Sequence, residues 1–185
     1  MQFPILKTPR LALKPISYKD ATALFNLLSQ YEVCLYNNFS VLDNKAQAQD
    51  LIQQDLENSY NNIGIRYAIN NNVDEFIGSC GVHEYNASCR TAIIGYELDP
   101  KYWKKGFMIE AVNYLIAYLF SDSCHFVVNK INANVLNLNI ASIKLLTKLG
   151  FVKCENNINN NDILQYQLTK SIWKNNNLYK NKKVL

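Results

Sequence analysis

The chain has 185 residues, of which 49% are hydrophobic and 18% charged, with a formal net charge of +4. That length suits one domain able to bury a sizeable core, and the composition excludes the disordered and highly charged classes. No apolar run approaches the roughly 18–20 residues needed to span a membrane, and the first residues lack the charged flank and apolar stretch of a signal peptide.

In chain order, residues 10–14 alternate as a first strand. Ser17 and Asp20 form a pair like a capping box, opening a helix with Ala21, Leu24, Leu27 and Leu28 on one face. A loop rich in Tyr, Asn and Phe is expected over Tyr31 to Ser40. Asp43 is then placed to cap a helix carrying Ala48, Leu51, Ile52 and Leu56. Three strands follow, Ile65 to Ile69, Glu75 to Tyr85 and Thr91 to Asp99, with polar turns at 70–72 and 86–88 between them. After Gly106, Met108, Ala111, Val112, Leu115, Ile116 and Leu119 repeat at helical spacing. A strand over Lys130 to Leu136, a helix over Ile140 to Leu149, and strands near Val152 to Glu155 and Ile163 to Leu168 complete the pattern. Two early helices, a meander and a closing strand–helix alternation describe a mixed α/β sheet. The asparagine-rich 156–162 turn is the expected mobile loop, and the lysines around 174–183 read as a solvated basic tail.

Five cysteines, Cys34, Cys80, Cys89, Cys124 and Cys154, are scattered, odd in number and without a C-x-x-C pair. That spacing favours reduced thiols in the cytoplasm over disulfides or a metal site. Asparagine makes up about 14% of the chain and clusters where loops are expected, which a coding bias explains without a further function. His83 and His125 are the only histidines; Cys80 and His83 are three apart on a strand, face opposite ways and form no dyad.

The most informative stretch is Ile94-Gly95-Tyr96-Glu97-Leu98-Asp99-Pro100-Lys101-Tyr102-Trp103-Lys104-Lys105-Gly106-Phe107-Met108-Ile109-Glu110-Ala111. It reads as a strand, a turn begun at Asp99-Pro100, a short basic loop and a helix. Free backbone N–H groups at a helix N-terminus welcome an anion, and a strand feeding such a cradle suits a phosphate-bearing ligand with a long arm. A second block, Asn139-Ile140-Ala141-Ser142-Ile143-Lys144-Leu145-Leu146-Thr147-Lys148-Leu149-Gly150-Phe151, and an opening, Thr8-Pro9-Arg10-Leu11-Ala12-Leu13-Lys14-Pro15, stand in register with the first.

Together these three blocks resemble the GNAT family of N-acetyltransferases, and within it the RimJ/RimL type that acetylates ribosomal-protein N-termini. The resemblance spans roughly residues 5–170. It implies a single domain over 1–170 with a basic tail over 171–185, and a mostly antiparallel sheet with one splayed parallel strand pair flanked by about four helices. It implies acetyl-CoA as co-substrate, no metal, and direct attack by a primary amine, with a protein or peptide N-terminus as acceptor. A small-molecule acetyltransferase acting on a polyamine, amino sugar or antibiotic, and a binding module without turnover, are the rival readings. Neither nucleic acid nor a membrane is an expected partner, and the chain is expected as a monomer or homodimer.

The resemblance also distributes roles. Trp103, Lys104, Lys105, Gly106, Phe107 and Met108 would form the pyrophosphate cradle, with Met108 replacing the family's usual small residue. Leu98 and Asp99 would lie along the pantetheine arm, with a backbone N–H near Leu98 polarising the thioester carbonyl. Asn139 would reach the same arm, although Asn is also a favoured helix N-cap. The tyrosine that protonates the leaving thiolate in many members is replaced by Leu146, which passes that role to Ser142. Glu97 is the candidate base, directly or through water, or else a surface residue on the strand's polar face; Glu84 is the reserve. Tyr31, Tyr36 and Phe39 would border the acceptor.

Overall fold

The computed structural model describes residues 3–36, 40–155 and 162–175. Asn37, Asn38, Phe39, residues 156–161 and the tail beyond 175 lie outside the described residues. One eight-stranded sheet organises the rest: β1 (Leu6–Lys7), β2 (Leu11–Pro15), β3 (Ile65–Asn71), β4 (Phe76–Asn86), β5 (Thr91–Leu98), β6 (Lys130–Leu136), β7 (Val152–Lys153) and β8 (Ile163–Thr169). The order is β1-β2-β3-β4-β5-β6-β8-β7, antiparallel throughout except for β5 and β6.

Helices cover both faces. On one lie α1 (Ala21–Leu28), α2 (Tyr31–Cys34) and α3 (Lys45–Tyr60), whose Leu24, Leu28, Ala48 and Ile52 are buried together with Ile16. On the other lie α4 (Phe107–Leu119) and α5 (Ile140–Lys148); the predicted stripe Ala111, Val112, Leu115, Ile116 and Leu119 is buried against Ile69, Ile77, Ala92 and Ile131. A strand between two helical layers must be apolar on both sides, and β3 is buried at six of its seven positions.

Several boundaries differ from the sequence expectation for local reasons. The aromatic loop begins with the helical turn α2, because Leu35 and Cys34 close main-chain hydrogen bonds back to Tyr31 and Gln30. Asn44, and not Asp43, caps α3: its Oδ1 accepts from the Gln47 N–H at 3.1 Å. The Ser17–Asp20 capping box opens a 3-10 turn at Tyr18–Asp20 before α1 starts. Beyond residue 169 the chain is helical over 170–175, where Trp173 is buried and packs against Phe120.

The feature that makes a site possible is where pairing stops. The crossover through α4 brings β6 parallel to β5, and the two pair only from Thr91↔Lys130 to Ile93↔Asn132. Beyond that register they separate, because β6 pairs along its whole length with β8 on its other side.

Candidate active site

The gap between β5 and β6 opens into a cleft of about 320 Å³. Alternation along each strand divides its walls. Tyr96 points to the α5 side, towards Ser142, Asn139 and Leu146; His83, Gly95, Glu97 and Tyr36 belong to the α1–α3 side. The cleft thus passes through the sheet and is open to two layers of side chains.

Main-chain donors point into it. The Asp99 N–H donates to Ile77 across the β4–β5 ladder at 2.9 Å. In an antiparallel pair the direction alternates, so the N–H groups of Tyr96 and Leu98 turn away from β4 and towards the gap that β6 has left. No side chain at 98 is needed for such a donor.

At one end of the cleft the chain leaves β5 through a tight 3-10 turn, Pro100–Tyr102, capped by Asp99, whose carboxylate accepts from the Lys101 N–H at 2.9 Å. The Trp103 indole donates to the Leu98 carbonyl at 2.7 Å, which ties the loop to the strand. Lys104 (φ 60°) and Gly106 (φ 79°) both adopt left-handed backbone on either side of Lys105, a conformation that gathers successive N–H groups into a concave nest. The N–H groups of Lys105, Gly106, Phe107 and Met108 meet no protein acceptor among the described residues. They stand at the N-terminus of α4, where the helix dipole adds positive potential. Met108 is buried, so it can serve the nest only through its backbone. These features fit a pyrophosphate.

The opening motif has a role here that spacing alone does not reveal. Glu110, in the first turn of α4, accepts from the Thr8 hydroxyl at 2.6 Å, the Arg10 N–H at 2.9 Å and the Arg10 Nε at 2.6 Å. Burial pulls this carboxyl's pKa up, but those hydrogen bonds outweigh it and hold it below its ordinary value. Arg10 also donates to the Lys105 carbonyl at 3.1 Å and lies 4.5 Å over the Phe107 ring. The N-terminal segment therefore braces the nest and pairs the Glu110 carboxylate beside it.

On the α5 wall, Asn139 is the helix cap: its Oδ1 accepts from the Ser142 N–H at 3.0 Å, and the residue lines the cleft. Burial pushes the Tyr96 phenol up to about 12, against a smaller lowering by its contact with Ser142. Tyr96 escaped sequence reasoning because its partner is 46 positions away in the chain.

On the opposite wall the structure alters the expectation for Glu97. It is 7% exposed, not a surface residue, and its Oε2 accepts from Ser79 Oγ at 2.7 Å and from Arg66 at 3.3 Å. Arg66 also donates to Asp55 of α3 at 2.6 Å. Burial works against the Arg66 charge, yet Glu97 and then Asp55 more than offset it and raise the guanidinium's pKa. Glu97 therefore lines the cleft with its carboxylate already engaged. Glu84 is exposed past an irregularity in β4 and does not line the cleft. Tyr36 does line it; Tyr31, in the first turn of α2, is 66% exposed and outside its wall. No group of three or more metal-ligating side chains gathers among the described residues.

Residues 10–152 match the acetyltransferase (GNAT) domain family. The chain is 37% identical over 152 residues to the uncharacterized N-acetyltransferase YoaA of Bacillus subtilis (strain 168), covering 82% of this chain and 84% of that one. It is 38% identical to the uncharacterized N-acetyltransferase p20 of Bacillus licheniformis, covering 80% and 82%. Among solved structures, RimL, the ribosomal L7/L12 α-N-protein acetyltransferase in complex with coenzyme A, superimposes with a TM-score of 0.79 at 16% identity, covering 90% of this chain and 98% of that one. Spermidine N-acetyltransferase from Vibrio cholerae, in complex with CoA and spermine, gives 0.77 at 20% identity, covering 90% and 99%.

Proposed function

The chain belongs to the GNAT acetyltransferase family and is an acetyl-CoA-dependent N-acetyltransferase, and from that premise we propose that its acceptor is the free α-amine of a protein or peptide. The observation that carries this reading is the charge of the acceptor wall. Glu97 is the only carboxylate among the described lining residues, and it is already engaged by Arg66 and Ser79. A polyamine needs several free carboxylates to offset its charges, whereas an N-terminus brings one ammonium and a neutral backbone. Asn134 and Tyr36, which line the cleft, offer hydrogen-bonding groups to that backbone. The structural neighbours include proteins described as acting on each acceptor kind, so the fold alone does not choose between them.

Acetyl-CoA supplies an activated acyl group on a thiol leaving group. The Lys105 to Met108 N–H groups would hold its pyrophosphate, and the amide nitrogen of Asn139 its pantetheine arm. The Leu98 N–H is oriented to stabilise negative charge on the carbonyl oxygen, a contribution that fixed backbone dipoles make without reorganising. Ser142, beside Tyr96, would pass a proton to the departing sulfur. Cytoplasmic operation fits the five free cysteines, and no helix among the described residues is long and apolar enough to cross a membrane.

The test is an acceptor screen with acetyl-CoA, reading mass shifts on free-N-terminus peptides, spermidine and amino sugars side by side. Acetylated peptide α-amines support the reading, and preferential acetylation of spermidine overturns it. On the best acceptor, Ser142→Ala should reduce turnover roughly 10²-fold while leaving acetyl-CoA affinity intact; equal losses in both would make Ser142 a structural residue.

A further inference from the structure

We propose that His83 is the general base that takes the proton from the incoming amine, an inference resting on the acetyl-transfer reading above. Three observations of different kinds converge on it.

The first is position. The β4–β5 register steps from Val82↔Ile94 to Glu84↔Ile93, so His83 is the extra residue of a bulge where β4 bends beside the cleft. Bulges re-aim side chains, and this one carries the imidazole into the cleft wall. The second is the space reserved for the ring. A β-carbon on Gly95 would lie 1.8 Å from His83 Nε2 and 2.7 Å from its Cδ2. The absence of a side chain at Gly95 is thus what allows the imidazole to lie against β5, one residue from the Tyr96 N–H.

The third is elimination by chemistry. The titratable residues lining the cleft, among those described, are Tyr36, His83, Tyr96 and Glu97. Glu97 is engaged by two donors, and of the others only an imidazole changes charge near neutrality. The groups facing His83 are Glu97 from β5, Arg66 from β3 and Asp55 from α3. His83 is exposed at the cleft; partial desolvation by the surrounding protein lowers its pKa below the ordinary value, while Glu97 raises it, Arg66 lowers it and Asp55 raises it. Its neutral form, the one able to accept a proton, is therefore favoured at pH 7.

In the reaction, an ammonium of the acceptor gives one proton to an imidazole nitrogen of His83 and exposes its lone pair. The nitrogen attacks the thioester carbon, a C–N bond forms and the C–S bond breaks. The second proton lost from nitrogen is balanced by the one the sulfur receives, and His83 returns its own proton to water.

The test compares two nucleophiles at pH 7: a Ser-Ala-Ala amide tripeptide, mostly protonated until pH passes its α-amine pKa of roughly 7.7–8.0, and hydroxylamine, neutral without assistance. His83→Gln should lower tripeptide turnover by about 10²–10⁴, leave hydroxylamine turnover and acetyl-CoA affinity unchanged, and regain much of the loss as pH rises. Gly95→Ala keeps the imidazole but occupies its space, and should show the same selectivity to a smaller degree. In the free protein, the proton NMR signal that His83→Gln removes should titrate below about pH 6.5. Undiminished tripeptide turnover, parallel losses on both nucleophiles, or an imidazole still charged at pH 7 overturns the assignment. If wild-type protein acetylates spermidine but not the tripeptide, the acceptor reading fails and the same comparison on spermidine decides His83. If it acetylates none of these, both fail.

Discussion

The nest over 104–108 and the wall around His83 stand at the same cleft yet are made differently. The nest is main chain: two left-handed residues and a helix N-terminus, contributed by neighbours in sequence. Its chemistry is general, because any phosphate finds the same N–H groups. The wall proposed for the acceptor is side chain: His83 of β4 and Glu97 of β5 line it, with Ser79 of β4 and Arg66 of β3 bonded to Glu97 and Asp55 of α3 bonded to Arg66. Its chemistry depends on which charge neutralises which. On the proposed reading, a local motif holds the co-substrate and long-range packing shapes the acceptor side.

Substitutions can separate the two constructions. The largest effect is expected at Arg66, which lies between Glu97 and Asp55 while being 7% exposed. Arg66→Met leaves two carboxylates without their cation and should cost about 3–5 kcal/mol in denaturant unfolding. A loss below 1 kcal/mol would mean that the wall does not depend on this triad.

Next comes the nest. Gly106→Glu adds a negative charge where an anion is to bind and forces a side chain onto a backbone at φ 79°. Acetyl-CoA affinity by calorimetry should fall about 100-fold or more while the protein stays folded by circular dichroism, since the residue is exposed. Unchanged affinity would remove the nest from the binding site and collapse the comparison.

The smallest effect sharpens it, because Glu110 is a side chain that serves the main-chain region. Its folded pKa is depressed, so the stability it contributes is fully present above the ordinary value of roughly 4.3 and is lost as pH falls through the folded value. Glu110→Gln should cost about 1 kcal/mol at pH 7, and the difference from wild type should shrink below pH 4. A difference constant with pH would show that shape, and not charge, carries the brace.

How much of this was legible beforehand follows the same division. The α4 stripe, the nest glycine and the cap at Asn139 were readable because each depends on residues within a turn or two. The first residues of the chain matched a motif, but that Thr8 and Arg10 reach Glu110 requires 100 residues of fold between them. Tyr31 and Tyr36 looked equivalent until α2 formed and set only the second in the cleft. His83 was read correctly as facing away from Cys80, yet a bulge opposite a glycine gives no signal in a single sequence.

By itself, then, the sequence determined the sheet-and-helix pattern, the glycine turn into α4 and the acyl-transfer family, since periodicity and turn chemistry act over a few residues. Only the tertiary structure decided which carboxylate is free and which is paired, and which imidazole meets the cleft. Charge pairing and desolvation depend on distances in space, and strands β3, β4 and β5 bring Arg66, Ser79, His83 and Glu97 together from positions up to 31 residues apart.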